Sequence, residues 1–201
     1  MPRQVDQEER RRRIADAVCA LTEEGGLEGV TLRDVAVRAA ISLGAVQRCF
    51  RTKEEMLLFA VEAVGGRITA RVRARLTASP AQSAATALGH AAGEVALVRA
   101  EHRAEARIWL AFLAQAAVSP PLAGHLRTGY AALQGLFARL IEEAAAGGTG
   151  AGLDPEREAR TLLALADGLT AQVLVGHLTE RAAEEVLDAQ LARMWAGPSG
   201  P

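Results

Sequence analysis

Between Thr31 and Lys53 the chain carries five basic side chains, Arg33, Arg38, Arg48, Arg51 and Lys53, against the single acid Asp34. A guanidinium is always charged and can grip phosphate oxygens through paired N–H donors. Within this segment Ser42, Leu43, Gly44, Ala45, Gln47 and Arg48 fall on the outer face of one short helix. Small residues at the start of that helix let its backbone approach the floor of a DNA major groove. Gln47 and Arg48 can then reach base edges or phosphates. The positive charge is local, because acidic side chains cancel the basic ones over residues 1–57. A strongly basic domain of the kind common in nucleic-acid binders is absent. A dimer would double the small footprint.

Two short helices must position that face. Val35, Ala36, Ile41, Val46 and Phe50 supply the apolar contacts across which they cross, and a turn at 40–42 joins them. This is the pattern of a helix-turn-helix. Thr31, three residues before Asp34, and Ser42 have the chemistry of N-caps. Ile14, Ala17, Val18 and Leu21 recur with helical period and predict a preceding helix over 6–24. Thr52 and Glu55 form a further capping pair, which opens a long helix from Lys53 to about Leu76, interrupted by Gly65 and Gly66.

Helices are then expected at 80–98 (with Ser79 and Pro80 as cap and first position), 102–117, 120–146, 155–177 and 179–195. Glycines between 147 and 152 break the chain, and Asp154-Pro155 restarts it. Pro198 to Pro201 form a tail. Alanine, about a fifth of the chain, favours helix over strand. The reading is an all-α protein of about nine helices with no internal repeat. An N-terminal three-helix DNA-binding domain (1–52) precedes a helical ligand-binding and dimerisation domain (53–201).

Other chemistries find little support in the 201 residues. Cys19 and Cys49 are the only cysteines, too few for a disulfide scaffold or an unaided zinc site. His90, His102, His125 and His177 lack metal-ligand spacing, and Gly148, Gly150 and Gly152 do not give a dinucleotide fingerprint. No catalytic constellation, cofactor or metal is implied. The apolar run from Leu162 to Leu178 contains Asp167, Gln172 and His177, and it is short for a membrane span. A cytoplasmic protein is expected, on the nucleoid when bound to DNA.

The segment Thr31-Leu-Arg-Asp-Val-Ala-Val-Arg-Ala-Ala-Ile-Ser-Leu-Gly-Ala-Val-Gln-Arg-Cys-Phe-Arg-Thr-Lys-Glu-Glu-Met-Leu resembles the DNA-binding module of the tetracycline-repressor (TetR) family. Trp109-Leu-Ala-Phe-Leu-Ala, Asp154-Pro-Glu and Ala166-Asp-Gly-Leu are similar to the ligand domain of its betaine-regulator-like (BetI-type) branch. The resemblance implies a homodimeric repressor of double-stranded operator DNA, released by a small molecule. It puts Thr31 and Arg33 near phosphates, Leu43, Gly44, Ala45, Gln47 and Arg48 on the recognition helix, and Lys53 on a phosphate. The chain departs from the pattern at three places. Ala40 stands where the family usually has glycine, so a left-handed backbone there costs about 1–2 kcal/mol. Gln47 replaces a tyrosine and Cys49 a frequent histidine or tyrosine. Gln47 can still bond to a phosphate or read an adenine. The run Arg10 to Arg13 reads either as a solvated face, with Glu8 and Glu9 four residues before Arg12 and Arg13, or as a source of one phosphate contact. Arg3 is a candidate minor-groove arm.

Four aromatic residues, Trp109, Phe112, Tyr130 and Phe137, lie on two successive expected helices, with Arg107, Gln134 and His102 nearby. An apolar site with a few polar groups is how small-molecule pockets are built, and an ordinary core is the other reading. Asp167 needs a partner in so apolar a helix. Either a cationic ligand or an arginine across a dimer would serve. Leu162, Gly168, Ala171, Gln172 and Val175, with Leu187 and Leu191 on the last helix, form a candidate self-complementary interface. The alternative to a DNA-binding regulator is a helical binding dimer without specific DNA recognition.

Overall fold

The computed structural model describes residues 2–78, 83–148 and 152–196. Among them the regular structure is all helical: α1 (Pro2–Gly25), α2 (Leu32–Arg38), α3 (Leu43–Cys49), α4 (Lys53–Ala78), α5 (Ala84–Val95), α6 (Arg103–Ala116), α7 (Pro120–Ala146), α8 (Pro155–Leu174) and α9 (Glu180–Ala196). A single 3-10 turn, Ala100–His102, precedes α6. The expected start of the fifth helix at Ser79 and Pro80, residues 149–151 of the glycine break, the Arg3 side chain and the 198–201 tail lie outside the described residues. Ser83 caps α5 instead, its hydroxyl accepting from the Thr86 N–H at 3.2 Å. Gly65 and Gly66 do not interrupt α4, which runs unbroken through both. Helical hydrogen bonding of the flanking residues overrides the weak propensity of two glycines.

The chain gathers into two compact units. One comprises Met1–Arg67 with Arg107–Arg127, the other Ile68–Ala106 with Thr128–Pro201. In the first, α1, α2 and α3 pack pairwise on one another. Ile14, Val18, Val35 and Val46 have no exposed surface there, and Phe50 almost none. The Arg11 guanidinium lies 4.8 Å from the Phe50 ring centre and 4.4 Å from that of Phe59, so its charge rests on aromatic faces.

In the second unit α5, α8 and α9 pack pairwise. Leu88, Phe137, Ile141, Leu162, Leu169 and Leu187 belong to its core. The buried Thr170 hydroxyl bonds the carbonyls of Ala96 and Ala166, which satisfies a polar group that would otherwise be costly to bury.

Two helices end with the same device. After α8, the Gly176 N–H bonds the Val173 carbonyl at 3.1 Å and the His177 N–H bonds the Gln172 carbonyl at 2.9 Å. After α2, the Ala40 N–H bonds the Val37 carbonyl at 3.1 Å and the Ile41 N–H bonds the Ala36 carbonyl at 3.0 Å. Both are Schellman closures, which need a left-handed residue just beyond the cap. Gly176 meets that with φ 76°, and Ala40 meets it with φ 52°. The α8 closure also explains why the helix stops at Leu174 rather than continuing to 177.

The alanine therefore stores strain that a glycine would not. After subtracting the larger unfolded-state entropy of glycine, Ala40→Gly should raise stability by about 0.5–1 kcal/mol. Urea unfolding followed by circular dichroism measures it, and a destabilised variant would show that the left-handed turn is not strained.

Candidate nucleic-acid interface

Local chemistry fixes the ends of the two crossing helices. The Thr31 hydroxyl accepts from the Asp34 N–H at 3.2 Å and donates to the Asp34 carboxylate at 2.6 Å. Ser42 accepts from the Ala45 N–H at 3.2 Å. Thr52 accepts from the Glu55 N–H at 3.1 Å, while the Glu55 carboxylate accepts from the Arg51 N–H at 2.8 Å. The two capping pairs and the Ser42 cap read from this segment of the sequence are formed. The Thr31 hydroxyl is thus committed to Asp34, while the neighbouring Arg33 is exposed.

On α3, Gln47 and Arg48 are exposed, and Leu43 and Gly44 half-buried. Ala45 differs from the expectation of an outward residue. It is 6% exposed and faces inward beside Val46. The 3.6-residue period carries the face from Leu43 and Gly44 directly to Gln47 and Arg48. A Cβ on Gly44 would lie 3.6 Å from the Arg48 Nη1, so the arginine lies across the glycine. The Arg33, Gln47 and Arg48 side chains hold no partner among the described residues, which leaves their donors for a ligand.

The remaining cations are sorted by tertiary contacts. Arg38 is taken by Glu24 through two hydrogen bonds of 2.7 and 2.5 Å. These bonds hold the Glu24 carboxyl below the usual carboxylate range. The contribution of this pair is present at neutral pH and is lost as pH falls through that lowered range. Lys53 donates to the Glu28 carbonyl at 3.2 Å and keeps two further ammonium donors. Arg12 pairs with Glu8 at 2.8 Å, as its spacing predicts. Arg13 does not pair with Glu9; it donates to the Ala39 carbonyl at 2.6 Å. Arg11 stacks on the two phenylalanines. Arg51, exposed just beyond α3, belongs with this face although the reading of the outer helix surface omitted it. Its place in the basic cluster was the available signal.

The residues grouped as a ligand pocket divide between the two units. Arg107, Trp109 and Phe112 belong to the first. Arg107 lies 3.6 Å from Glu23, and Phe112 is fully buried. Tyr130, Gln134, Phe137 and Asp167 belong to the second. There the Tyr130 hydroxyl donates to the half-buried Asp167 carboxylate, and the Gln134 amide donates to Glu156. Phe137 sits in the core. In the candidate dimer face, Leu162, Leu187 and Leu191 are buried in their own core, at 0, 4 and 8% exposure. They are not available to a second copy. Gln172 and Val175 are exposed, and Gly168 and Ala171 partly so.

Two family models match the chain, one of them over the helix-turn-helix. The model for bacterial regulatory proteins of the tetR family covers residues 14–60. That for the C-terminal part of BetI-type transcriptional repressors covers 85–196. The chain belongs to the TetR family. This TetR-family regulator is 31% identical over 176 residues to the HTH-type transcriptional regulator PksA of Bacillus subtilis, spanning 87% of this chain and 83% of the relative. A transcriptional regulator from Rhodococcus sp. Rha1 shares its structure with a TM-score of 0.81 at 30% identity, covering 92% of this chain and 95% of that one. A regulator from Saccharomonospora viridis, solved in complex with choline, has the same fold, with a TM-score of 0.82 at 23% identity over 92 and 96% of the two chains.

The protein is thus a DNA-binding transcriptional regulator and not an enzyme. The alternative of a helical dimer without DNA recognition is not favoured. Among the described residues no helix is long and apolar enough to cross a membrane.

Arg48→Ala should weaken operator binding by about 1–3 kcal/mol. Arg12→Ala, which removes a cation already paired on an exposed face, should leave it nearly unchanged. Fluorescence anisotropy at fixed salt compares the two, and equal losses would misplace the recognition surface.

Proposed function

We propose that this regulator is a homodimeric repressor of a palindromic operator, released when a small molecule binds outside residues 1–52. The observation that carries the DNA half is the face of Leu43, Gly44, Gln47 and Arg48, whose polar groups are exposed and unpartnered. Arg33, Arg51 and Lys53 flank it as phosphate contacts, with Thr31 and Ser42 as the caps that hold it. Residues 53–201 supply sensing and pairing. The protein works in the cytoplasm, on the nucleoid when bound.

Pairing is assigned to the accessible part of α8, Gly168, Ala171, Gln172 and Val175, joined by Val186 of α9. Val175 is 78% exposed and Val186 41%, and large exposed aliphatic groups favour a partner surface. A two-fold contact of this kind sets two recognition helices about one DNA turn apart. α4 contributes residues to both units, so a ligand that prefers one tilt of this helix would change that spacing and release the operator.

For the ligand, the Asp167 carboxylate with its Tyr130 hydroxyl partner supports a cationic group. Choline, which the Saccharomonospora viridis protein holds, is the first probe. Gln134 and Phe137, which lie in the same unit as Asp167 and Tyr130, are the other residues assigned to this sensing role.

The test is a gel shift with the DNA upstream of the gene, excess non-specific competitor and two salt concentrations. A discrete complex is expected, with affinity falling steeply as salt rises. A complex insensitive to salt, or none on any genomic DNA, would remove the repressor reading. Val175→Glu should raise the dimer dissociation constant at least about tenfold by placing a charge in an apolar contact. Sedimentation velocity measures this, with circular dichroism as the check on folding.

A further inference from the structure

The last turns of α4, the exposed side of α5, the segment at Val98 and Arg99, and α9 enclose a groove of about 400 Å³. It lies wholly within the second unit. Its charges are segregated by element. Arg75 and Arg99 supply two guanidinium groups from α4 and the segment after α5, whereas Glu184 and Asp188 supply two carboxylates from successive turns of α9.

The cations are fixed from beneath. Glu94, whose side chain is only 8% exposed, lies 3.5 Å from Arg75 Nε and 3.6 Å from Arg99 Nη1. Arg71 and His102 approach the same carboxylate at 3.3 and 3.9 Å. A buried carboxylate flanked by three arginines pre-orients them without exhausting their donors. On the acidic side, Glu184 touches Arg99 at 3.3 Å, and Asp188 is exposed with no partner among the described residues.

The floor is open for a reason other than packing. Gly89 and Gly93 sit inside α5, where alanine would make a better helix. A Cβ at Gly93 would meet nothing within 4 Å, and one at Gly89 only the Leu191 Cδ1 at 3.6 Å. Val98 and Leu187 add apolar lining.

We propose that this groove binds a small zwitterion of the amino-acid class. Its carboxylate meets Arg75 and Arg99, its ammonium meets Asp188 and Glu184, and its aliphatic part lies over Gly89 and Gly93 against Val98 and Leu187. A simple anion is repelled by the two α9 carboxylates and a simple cation by the two arginines. A molecule carrying both charges satisfies both sets. The site is separate from Asp167, and its occupancy does not depend on the repressor reading.

Isothermal titration of the full chain with L-leucine and with 5-aminopentanoate tests this, the two zwitterions differing in charge separation. The relatives 4-methylpentanoate and 3-methylbutylamine each keep one charge. Saturable binding of at least one zwitterion is expected, with each single-charge relative at least about tenfold weaker. Gly93→Leu should abolish it by filling the groove, and Asp188→Asn, at an exposed unpartnered position, should weaken it about tenfold while far-ultraviolet dichroism stays unchanged. Heats from neither zwitterion, equal binding of 4-methylpentanoate, or unaltered binding by Asp188→Asn would each overturn the proposal.

Discussion

The reversal of the chain between α2 and α3 is the constraint on which the DNA-facing geometry depends. The helices are seven residues each, too short to persist alone. Their crossing exists only because a tight turn returns α3 onto α2, so that Val35, Val46 and Phe50 share one core. That turn requires a left-handed residue, and Ala40 accepts the strain. Arg13 reinforces it from α1 by donating to the carbonyl of Ala39, the residue just before the strained position. One guanidinium therefore braces the turn that aims the recognition helix.

Charge is arranged by the same logic of commitment and release. The N-terminal region contains many arginines, yet several are engaged within the protein, one of them by an exposed neighbour a single helical turn away. Arg11 lies on aromatic faces, Arg12 on Glu8, Arg13 on a carbonyl and Arg38 on Glu24. Arg33, Gln47, Arg48 and Arg51 keep side-chain donors without a partner among the described residues, and Lys53 keeps part of its ammonium. A near-neutral domain binds DNA by where its few uncommitted donors stand. Surplus positive charge is not required.

The second unit solves a different problem, that of polar groups inside an alanine-rich helical core. Thr170 answers with two carbonyl bonds, Asp167 with the Tyr130 hydroxyl, and Glu94 with a ring of cations. Each is a point where an all-apolar core would have been simpler. Such points are where function gathers.

The sequence by itself determined the all-helical character, the caps at Thr31, Ser42 and Thr52 and the helix-turn-helix, because these rest on contacts three to four residues apart that periodicity and side-chain type encode. Thr31, Ser42 and Thr52 cap as their spacing requires, and Glu8 finds Arg12 one turn away. The strain at Ala40 was expected from the family resemblance alone, and the backbone closure after α2 is what sets that φ. Tertiary structure alone decided which of many arginines remain free, because Arg11, Arg13 and Arg38 find partners many residues distant or on other helices. It decided that Ala45 turns inward, and that Leu162, Leu187 and Leu191 serve their own core. An apolar residue on a helix looks the same from sequence whether it packs within its protomer or against a copy. Only the position of neighbouring helices distinguishes the two. The groove of α5 and α9 was invisible for the same reason: its opposed charges lie about a hundred residues apart in the chain and meet only when the helices pack.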